Sequence, residues 1–208
     1  MPTEEPRELE LKYQLAGEGD YRLLLDNCPR VVGRKTATFE NYYFDSPDHR
    51  LAARGGMLRL RYDGELTLCF KLGGEKEGQP GYFDALEVEA NLETSLLKEA
   101  LKNPDLLGKL KARPVEALWE HFNEMELSWI GELTTVRRYR QIGEFLLELD
   151  EVIYGDGGVS FEVEIETRQP EKARRALSSH LAQLGIEGAP QRRSKLQGLL
   201  HRKGISPG

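Results

Sequence analysis

The chain has 208 residues, of which 39% are hydrophobic and 31% charged, and its formal net charge at pH 7 is -6. This acidic balance disfavours nucleic acid as a partner, and the sequence has no run of about 18 apolar residues that would predict a membrane-spanning helix. Because the N-terminus MPTEEPRE is acidic and polar rather than basic and then apolar, we expect a soluble cytoplasmic protein with one domain over residues 1–208.

Eight segments alternate apolar and polar residues with a period of two, which is typical of half-buried strands. In chain order they are RELELKYQL, TATFENYYFD, MLRLRY, ELTLCFKL, YFDALEVEA, LTTVRRYRQI, EFLLELDEVIY and VSFEVEIET. Helical spacing appears in GDYRLLLDN, TSLLKEALKN, RPVEALWEHFNEM, PEKARRALSSHLAQLG and RSKLQGLLHRKG. Strands interrupted by helices in this way predict an α+β protein with a mostly antiparallel sheet.

The polar positions of these strands carry charges, whereas a solvated surface would mix charges with many neutral polar residues. RELELKY places Glu8, Glu10 and Lys12 on one face and apolar side chains on the other. The same alternation occurs at Arg59, Arg61, Lys71, Glu87, Glu89, Arg138, Arg140, Glu148, Asp150, Glu162, Glu164 and Glu166. Strands such as MLRLRY and VSFEVEIET therefore present one sign of charge.

Hairpin loop lengths predict that the basic and acidic strands share a face, because an odd-numbered loop pairs residues of the same parity. A three-residue connection at 142–144 would place Arg138 and Arg140 on the face of Glu148 and Asp150.

The five-residue loop YGDGG would pair Ile153 with Val159 and add Glu162, Glu164 and Glu166 to that face.

Eight such strands can close into a barrel whose apolar face lies outward under the helices and whose charged face lines a cavity. Charges crowded in such an interior are unfavourable unless metal ions offset the carboxylates and a polyanion offsets the cations. Mg²⁺ and Mn²⁺ prefer carboxylate oxygens, and Arg and Lys bind phosphate oxygens, so the pattern predicts a polyphosphate bound with a divalent metal.

These segments, in this order, resemble the CYTH family, also called triphosphate tunnel metalloenzymes. The ExExK signature stands at Glu8, Glu10 and Lys12, and NYYFDSPDHRLAARGGMLRLR is similar to the family's YFDTP-like segment and LRxR strand. TLCFK, ALEVEA, VRRYR, LELDE and FEVEIE follow, and a late SKL with Lys195 matches the closing lysine. The resemblance covers about residues 8–200 and implies an eight-stranded antiparallel β-barrel tunnel with helices packed outside.

The resemblance also implies roles for individual residues. It makes Lys12, Arg59, Arg61, Lys71, Arg138 and Lys195 triphosphate-binding. It makes Glu8, Glu10, Glu87, Glu148, Asp150, Glu162 and Glu164 metal ligands or water-positioning groups, with Lys12, Glu148 and Asp150 as the catalytic set.

Two positions stay open. The FEVEIE metal pair is either Glu162 with Glu164 or Glu164 with Glu166, because parity does not separate them. Many members read KxR where this chain has Val136-Arg137-Arg138, so Arg140 is a candidate replacement for the missing basic residue.

The resemblance places a further demand on the hairpin MLRLRYDGELTLCFK, because Lys71 must share a face with Arg59 and Arg61. We therefore predict a three-residue connection Tyr62-Asp63-Gly64, with Gly64 at positive φ, or an equivalent bulge later in the strand.

The sequence therefore predicts a hydrolase, dependent on Mg²⁺ or Mn²⁺, that cleaves inorganic tripolyphosphate to pyrophosphate and phosphate. The alternatives are a class IV adenylate cyclase, a thiamine triphosphatase and a non-catalytic polyphosphate-binding module. We find no segment that clearly supplies an adenine pocket, and binding alone would not need so many carboxylates. The expected partner is a small-molecule triphosphate, without nucleic acid or membrane, and both a monomer and a homodimer remain open.

Overall fold

The structure is a computed structural model that describes residues 6–28 and 36–206. Its strands are β1 (Arg7–Gln14), β2 (Ala37–Asp45), β3 (Gly56–Tyr62), β4 (Leu66–Glu75), β5 (Tyr82–Leu92), β6 (Ser128–Ile142), β7 (Phe145–Tyr154), β8 (Val159–Glu166) and the short β9 (Ala189–Pro190). Its helices are α1 (Glu18–Asn27), α2 (Arg50–Ala53), α3 (Leu96–Lys102), α4 (Arg113–His121), α5 (Pro170–Gln183) and α6 (Lys195–Arg202), and a 3-10 helix covers Pro104–Lys109. None of the helices in the described part of the chain combines the length and apolar character needed to cross a membrane.

Strands β1 to β8 form a closed antiparallel barrel. They are hydrogen-bonded in the order β5-β4-β3-β2-β6-β7-β8-β1, and pairing between β1 and β5 closes the ring. β9 adds to β1 beside Tyr13 and Gln14. The predicted α+β fold, an eight-stranded antiparallel barrel with outer helices, is confirmed, whereas α2, the 3-10 helix and β9 were not predicted.

The apolar face of the strands lies outward, as the alternation predicts. One cluster joins Leu11, Leu149 and Val163 of the barrel to α1 and α5, where Leu24 and Leu177 are fully buried. A second cluster packs the outer side of β3, β4 and β5 under α3, the 3-10 helix and α4. Burying one such leucine contributes about 1.5–3 kcal/mol, so the helices stabilise the barrel from outside and leave its interior to polar side chains.

Helix α6 packs against inward-facing apolar side chains of the barrel. Leu196 and Leu199 join a buried cluster with Tyr43, Leu133 and Val152, which point inward from β2, β6 and β7. A capping box begins the helix, since the Ser194 hydroxyl accepts from the backbone N–H of Gln197 and the Gln197 side chain accepts from the N–H of Ser194. The cap fixes the first helical residue, Lys195, at the barrel interior.

Helix α2 is anchored by Asp45, which is buried at the end of β2. Its carboxylate accepts from the backbone N–H groups of Ser46 at 2.7 Å, Leu51 at 2.8 Å and Ala52 at 3.0 Å. These bonds satisfy donors that a helix start leaves without partners, so Asp45 of the YFDTP-like segment has a structural role here.

Two predicted hairpin registers agree with the structure. Ile153 pairs with Val159, which puts the glutamates of β8 on the face of Glu148 and Asp150. The β3–β4 connection has three residues and Gly64 has φ 109, as predicted, although it runs from Asp63 to Glu65 because Tyr62 pairs with Leu66. Lys71 consequently faces the same side as Arg59 and Arg61.

The predicted β6–β7 register is wrong. Ile142 pairs with Phe145, so the connection has two residues and Gly143, at φ 54, supplies the positive φ that two-residue hairpin loops require. An even-numbered loop reverses the parity relation, and Arg137 now lies opposite Asp150. Arg138 therefore points to the outer face of the barrel.

Candidate active site

The charged face of the strands encloses a cavity of about 1100 Å³. The predicted residues that line it are Glu8, Glu10, Lys12, Arg59, Arg61, Lys71, Glu87, Glu164, Glu166 and Lys195. Glu148, Asp150 and Glu162 belong to the same inward face and contact cations of the cavity wall. The structure thus brings together most of the residues selected from the sequence.

Lys12 is buried between two carboxylates. Its Nζ lies 3.0 Å from Glu10 Oε1 and 2.9 Å from Glu164 Oε1. Burial lowers the pKa of Lys12, but these carboxylates outweigh burial and raise the pKa above its ordinary value. Lys12 is therefore a cation at every physiological pH.

Lys195 reaches the same carboxylate cluster from α6. Its Nζ lies 2.6 Å from Glu164 Oε1, 2.9 Å from Asp150 Oδ2 and 3.3 Å from Glu162 Oε2. Although burial lowers its pKa, Asp150 and the two glutamates raise the pKa of Lys195 well above its usual range. One helix thus supplies a fixed positive charge to the barrel interior.

Lys71 joins β4 to the first strand. Its Nζ contacts Glu8 and lies 2.8 Å from Glu10 Oε1 and 3.9 Å from Glu87 Oε2. Burial lowers the pKa of Lys71 despite these neighbours.

Arg59 and Arg61 are held more loosely than the lysines. Arg59 lies 3.8 Å from Glu87, and Arg61 lies 3.3 Å from Glu89. The Nε of each arginine is buried and has no hydrogen-bond partner within the described residues. Buried donors are normally satisfied, so this pair has hydrogen-bonding capacity left for an anion.

Arg137, and not Arg138 or Arg140, is the arginine that β6 contributes to the interior. Its guanidinium donates to both oxygens of Asp150, at 2.7 and 2.6 Å, to Glu164 at 2.6 Å, and to Glu148. It also lines the cavity.

The prediction that Arg138 and Arg140 face the cavity is wrong. Arg138 donates to the Tyr21 hydroxyl at 2.7 Å, and Arg140 donates to the backbone oxygen of Leu25 at 2.8 Å, both in α1. The two arginines bind the outer helix because the two-residue loop turns their side chains outward.

The carboxylates of the interior differ in their affinity for protons. Burial raises the pKa of Glu10 and of Glu148 from 4.5 to about 7, and the neighbouring charge of Glu164 adds to both shifts. Burial also acts on Glu164, but Lys12, Lys195 and Arg137 hold its pKa well below the usual range. Crowded acids with raised pKa values are a site where a further cation would be stabilising.

Oxygen donors suited to a hard divalent cation stand on β1, β5, β7 and β8. Glu10 lies opposite Glu166, and Lys12 lies opposite Glu164, across the β1–β8 pair. Glu162 and Glu164 are buried, whereas Glu166 is exposed and lines the cavity, and all three share one face. Both FEVEIE pairings predicted from the sequence therefore remain compatible with the fold.

A mixed group of ligand atoms lies in the neighbouring wall. One atom each from Cys69, Glu87 and Glu89 lies within 4.8 Å of the others. The Cys69 thiol donates to Glu87 Oε1 at 3.1 Å, and burial raises its pKa well above the ordinary value. This thiol is protonated and serves Glu87 as a hydrogen-bond donor.

Several lining residues were not found from the sequence. Phe39 and Asn41 share the inward face of β2 with Tyr43, and Arg168 and Arg192 extend the cationic lining. For the β2 residues the parity of TATFENYYFD carried the signal, because positions 39, 41 and 43 alternate with the outward Phe44. Arg168 and Arg192 lie outside the predicted strands, so alternation gave no signal for them.

The chain matches known proteins both in sequence family and in fold. The sequence model of the CYTH domain matches residues 6–193. No curated protein matches the chain. Among solved structures, HpAC1 from Hippeastrum, a proposed adenylyl cyclase described as having a dominant triphosphatase activity, is 27% identical with a TM-score of 0.82, and the match covers 96% of this chain and 97% of that one.

Two further solved structures share the fold at lower identity. A proposed adenylate cyclase from Bacillus halodurans is 22% identical with a TM-score of 0.71, over 92% of this chain and 97% of that one. The PH1819 protein from Pyrococcus horikoshii is 18% identical with a TM-score of 0.59, over 93% of this chain and 99% of that one.

Proposed function

The chain belongs to the CYTH family, and from that premise we propose that it is a metal-dependent triphosphatase that hydrolyses inorganic tripolyphosphate to pyrophosphate and phosphate. The observation that carries this proposal is the pair of arginines with spare donors. Arg59 and Arg61 stand next to each other on the inward face of β3, and each has a buried Nε without a partner among the described residues. A polyphosphate supplies the acceptor oxygens that these donors lack.

The remaining cations extend this anion site around the cavity. The set is Lys12, Arg59, Arg61, Lys71, Arg137, and Lys195. These groups come from four strands and one helix, so they surround the cavity rather than cover one wall. A ligand made of phosphate alone can use all of them, which supports the bare anion as substrate.

The acidic residues fit a divalent cation. CYTH proteins are metal-dependent, and Glu8, Glu10, Glu164 and either Glu162 or Glu166 offer the carboxylate oxygens that Mg²⁺ and Mn²⁺ prefer. Burial, with the neighbouring charge of Glu164, raises the pKa of Glu10, so a bound cation would stabilise its ionised form. When bound, a divalent cation supplies charge neutralisation and orientation to the phosphate oxygens.

In the proposed reaction the cations hold the triphosphate and stabilise the charge that develops on the transferred phosphoryl group. Lys12 is held between Glu10 and Glu164 and carries a fixed charge for this purpose. Glu148, whose pKa is about 7, accepts a proton from the attacking water near neutral pH. Asp150 is fully buried against Arg137 and Lys195, so we assign it to orienting these cations.

The second candidate is an adenylate cyclase, and one observation favours it. HpAC1, which is 27% identical to this chain, is a proposed adenylyl cyclase, although its described dominant activity is that of a triphosphatase. In that reaction the ribose hydroxyl of ATP would attack the α-phosphorus and release pyrophosphate. Thiamine triphosphatase activity would use the same cations with a different organic group.

The test is a substrate panel with purified protein. Tripolyphosphate, thiamine triphosphate and ATP are each incubated with Mg²⁺ or Mn²⁺, and phosphate and cyclic AMP are measured in parallel. We expect tripolyphosphate to be cleaved at least about 10-fold more efficiently than ATP, a difference of roughly 1.4 kcal/mol in transition-state binding. Chelator should abolish the reaction. Cyclic AMP formation matching tripolyphosphate cleavage would replace this proposal with the cyclase, and a preference for thiamine triphosphate would move it to the thiamine branch.

A further inference from the structure

Phe39 is an aromatic side chain on the charged inner face of the barrel. It lies on β2 two residues before Asn41 and four before Tyr43, and all three line the cavity. Phe39 is half-buried, whereas Tyr43 is fully buried. An apolar ring among arginines and glutamates is unusual enough to require an explanation.

Two arginines of the cavity lie over the Phe39 ring. The guanidinium carbon of Arg61 is 5.5 Å from the ring centroid, and that of Arg137 is 5.9 Å away. Both distances are within the range of cation–π attraction, in which the negative face of the ring stabilises a cation without accepting its hydrogen bonds.

The two arginines differ in their other support. Arg137 is fixed by Asp150, Glu148 and Glu164. Arg61 has one carboxylate partner among the described residues, Glu89, at 3.3 Å. Glu89 is itself more than one-third exposed, so solvent weakens that ion pair.

We propose that Phe39 is a positioning residue that holds the Arg61 guanidinium for contact with the triphosphate. This inference rests on the proposed function. A ring supports the guanidinium from its face and leaves the N–H groups at its edge available, whereas a second carboxylate would occupy those donors and oppose the substrate's charge. The buried Nε of Arg61 is one of the donors that this arrangement leaves without a partner.

Orienting Arg61 and stacking on a nucleobase are two roles of Phe39 that predict different effects on ATP and on tripolyphosphate. If the ring orients Arg61, its loss should weaken the binding of tripolyphosphate and of ATP by the same factor, because both ligands carry the phosphates that Arg61 contacts. If the ring stacked on a nucleobase, its loss should weaken the binding of ATP more than the binding of tripolyphosphate.

The experiment measures kcat and KM for tripolyphosphate and ATP in wild type, Phe39→Leu, Phe39→Tyr, Arg61→Ala and the double variant Phe39→Leu/Arg61→Ala. We expect Phe39→Leu to raise both KM values about 2- to 5-fold with kcat unchanged, which corresponds to roughly 0.5–1 kcal/mol. Phe39→Tyr should retain the wild-type KM. In the Arg61→Ala background, Phe39→Leu should have no further effect.

Two results would overturn the inference. One is that Phe39→Leu raises KM as much in the Arg61→Ala background as in wild type, and the other is that Phe39→Tyr raises KM as much as Phe39→Leu does. Calorimetric binding of tripolyphosphate in the presence of chelator gives the same comparison without turnover. If the wild type binds tripolyphosphate but does not cleave it, the proposed hydrolysis fails while the binding cycle still decides the role of Phe39. If the wild type does not bind tripolyphosphate, the substrate and the role of Phe39 both fail.

Discussion

Arg137 of β6 lies directly opposite Asp150 of β7, and its guanidinium donates to both carboxylate oxygens of Asp150, at 2.7 and 2.6 Å. Asp150 is fully buried, and Lys195 also lies 2.9 Å from its carboxylate. Such bidentate, charge-assisted bonds are stronger than neutral ones and fix the plane of the guanidinium. The barrel wall therefore holds Arg137 in place. The edge of its guanidinium that donates to Glu164 lies next to the cavity.

Replacing Arg137 and Arg138 one at a time should show which of the two faces the cavity, because only the inward arginine should affect the KM for tripolyphosphate. We expect Arg137→Ala to raise the KM for tripolyphosphate about 10-fold or more, because a charge-assisted phosphate contact contributes roughly 1.5–3 kcal/mol. Arg138→Ala should change KM less than about 2-fold, since its side chain bonds to Tyr21 on the outer helix. Steady-state kinetics on both variants, with melting temperatures as a folding check, measure the difference. A larger KM effect from Arg138→Ala would contradict the assignment of faces.

The barrel could be predicted from the sequence because its strands alternate apolar residues on the outer face with charged residues on the inner face. Leu58 and Leu60 alternate with Arg59 and Arg61, so the outward and inward faces are distinct without knowledge of any partner strand. Parity then carried the assignment across the five-residue loop to Glu164. Both faces follow from the period of two alone.

The rule failed at β6 because that strand carries arginine on both faces. Arg138 and Arg140 occupy outward positions that are apolar on other strands, and α1 supplies their partners through Tyr21 and Leu25. With Arg137 also basic, alternation could not distinguish a two-residue loop from a three-residue loop. The two-residue loop and the contacts of α1 with Arg138 and Arg140 together place Arg137 in the cavity, and alternation reports neither of them.

The stability of the metal-free protein should fall as the pH rises from about 4.5 to about 7. Glu10 and Glu148 have their pKa raised from 4.5 to about 7 in the folded state, so the folded state binds more protons than the unfolded chain in this window. Their stabilising contribution is complete below 4.5 and is lost as the pH rises through 7, and it is of the order of 1–3 kcal/mol for each group.

Melting temperatures measured in chelator between pH 5 and 8 test this expectation. Glu148→Gln should flatten the dependence, because the amide does not titrate. Glu164 contributes with the opposite sign, since its lowered pKa makes its stabilisation disappear only below about pH 4.5, outside the window. A melting temperature that rises between pH 5 and 7 would contradict the raised pKa values.

Both thiols should react slowly in the folded protein. Cys28 and Cys69 are free and buried, and burial raises the pKa of Cys28 from 9.0 to about 11. At pH 8 about 0.1% of such a thiol is thiolate, compared with about 10% at the ordinary pKa, so alkylation of Cys28 should be at least about 100-fold slower than that of an exposed thiol. The rate should rise about tenfold for each pH unit up to 11. Iodoacetamide labelling followed by mass spectrometry measures this rate. Fast labelling of the native protein at pH 8 would show instead that the thiol is activated by His180, whose Nε2 lies 3.1 Å from the Cys28 Sγ.

Replacing Glu164 should weaken metal binding more than it weakens tripolyphosphate binding. Its carboxylate contacts Lys12 at 2.9 Å and Lys195 at 2.6 Å, and the charge of Arg137 also lowers its pKa, so it stays ionised and available as a ligand at neutral pH. We expect Glu164→Gln to lower Mn²⁺ affinity, measured by calorimetry, about 10- to 100-fold. Excess Mn²⁺ should restore part of the triphosphatase activity.

The matched control for this last prediction is Glu151→Gln on the outer face of β7. Glu151 pairs with Arg138 at 3.2 Å and lies on the opposite side of the strand from Asp150, so its replacement should leave Mn²⁺ affinity unchanged. Glu164→Gln also removes a partner from two buried lysines, and its melting temperature must be followed, since an unpaired buried cation is destabilising by several kcal/mol at most. If Glu164→Gln binds Mn²⁺ as tightly as Glu151→Gln and excess metal restores no activity, Glu164 acts by orienting the lysines and is not a ligand.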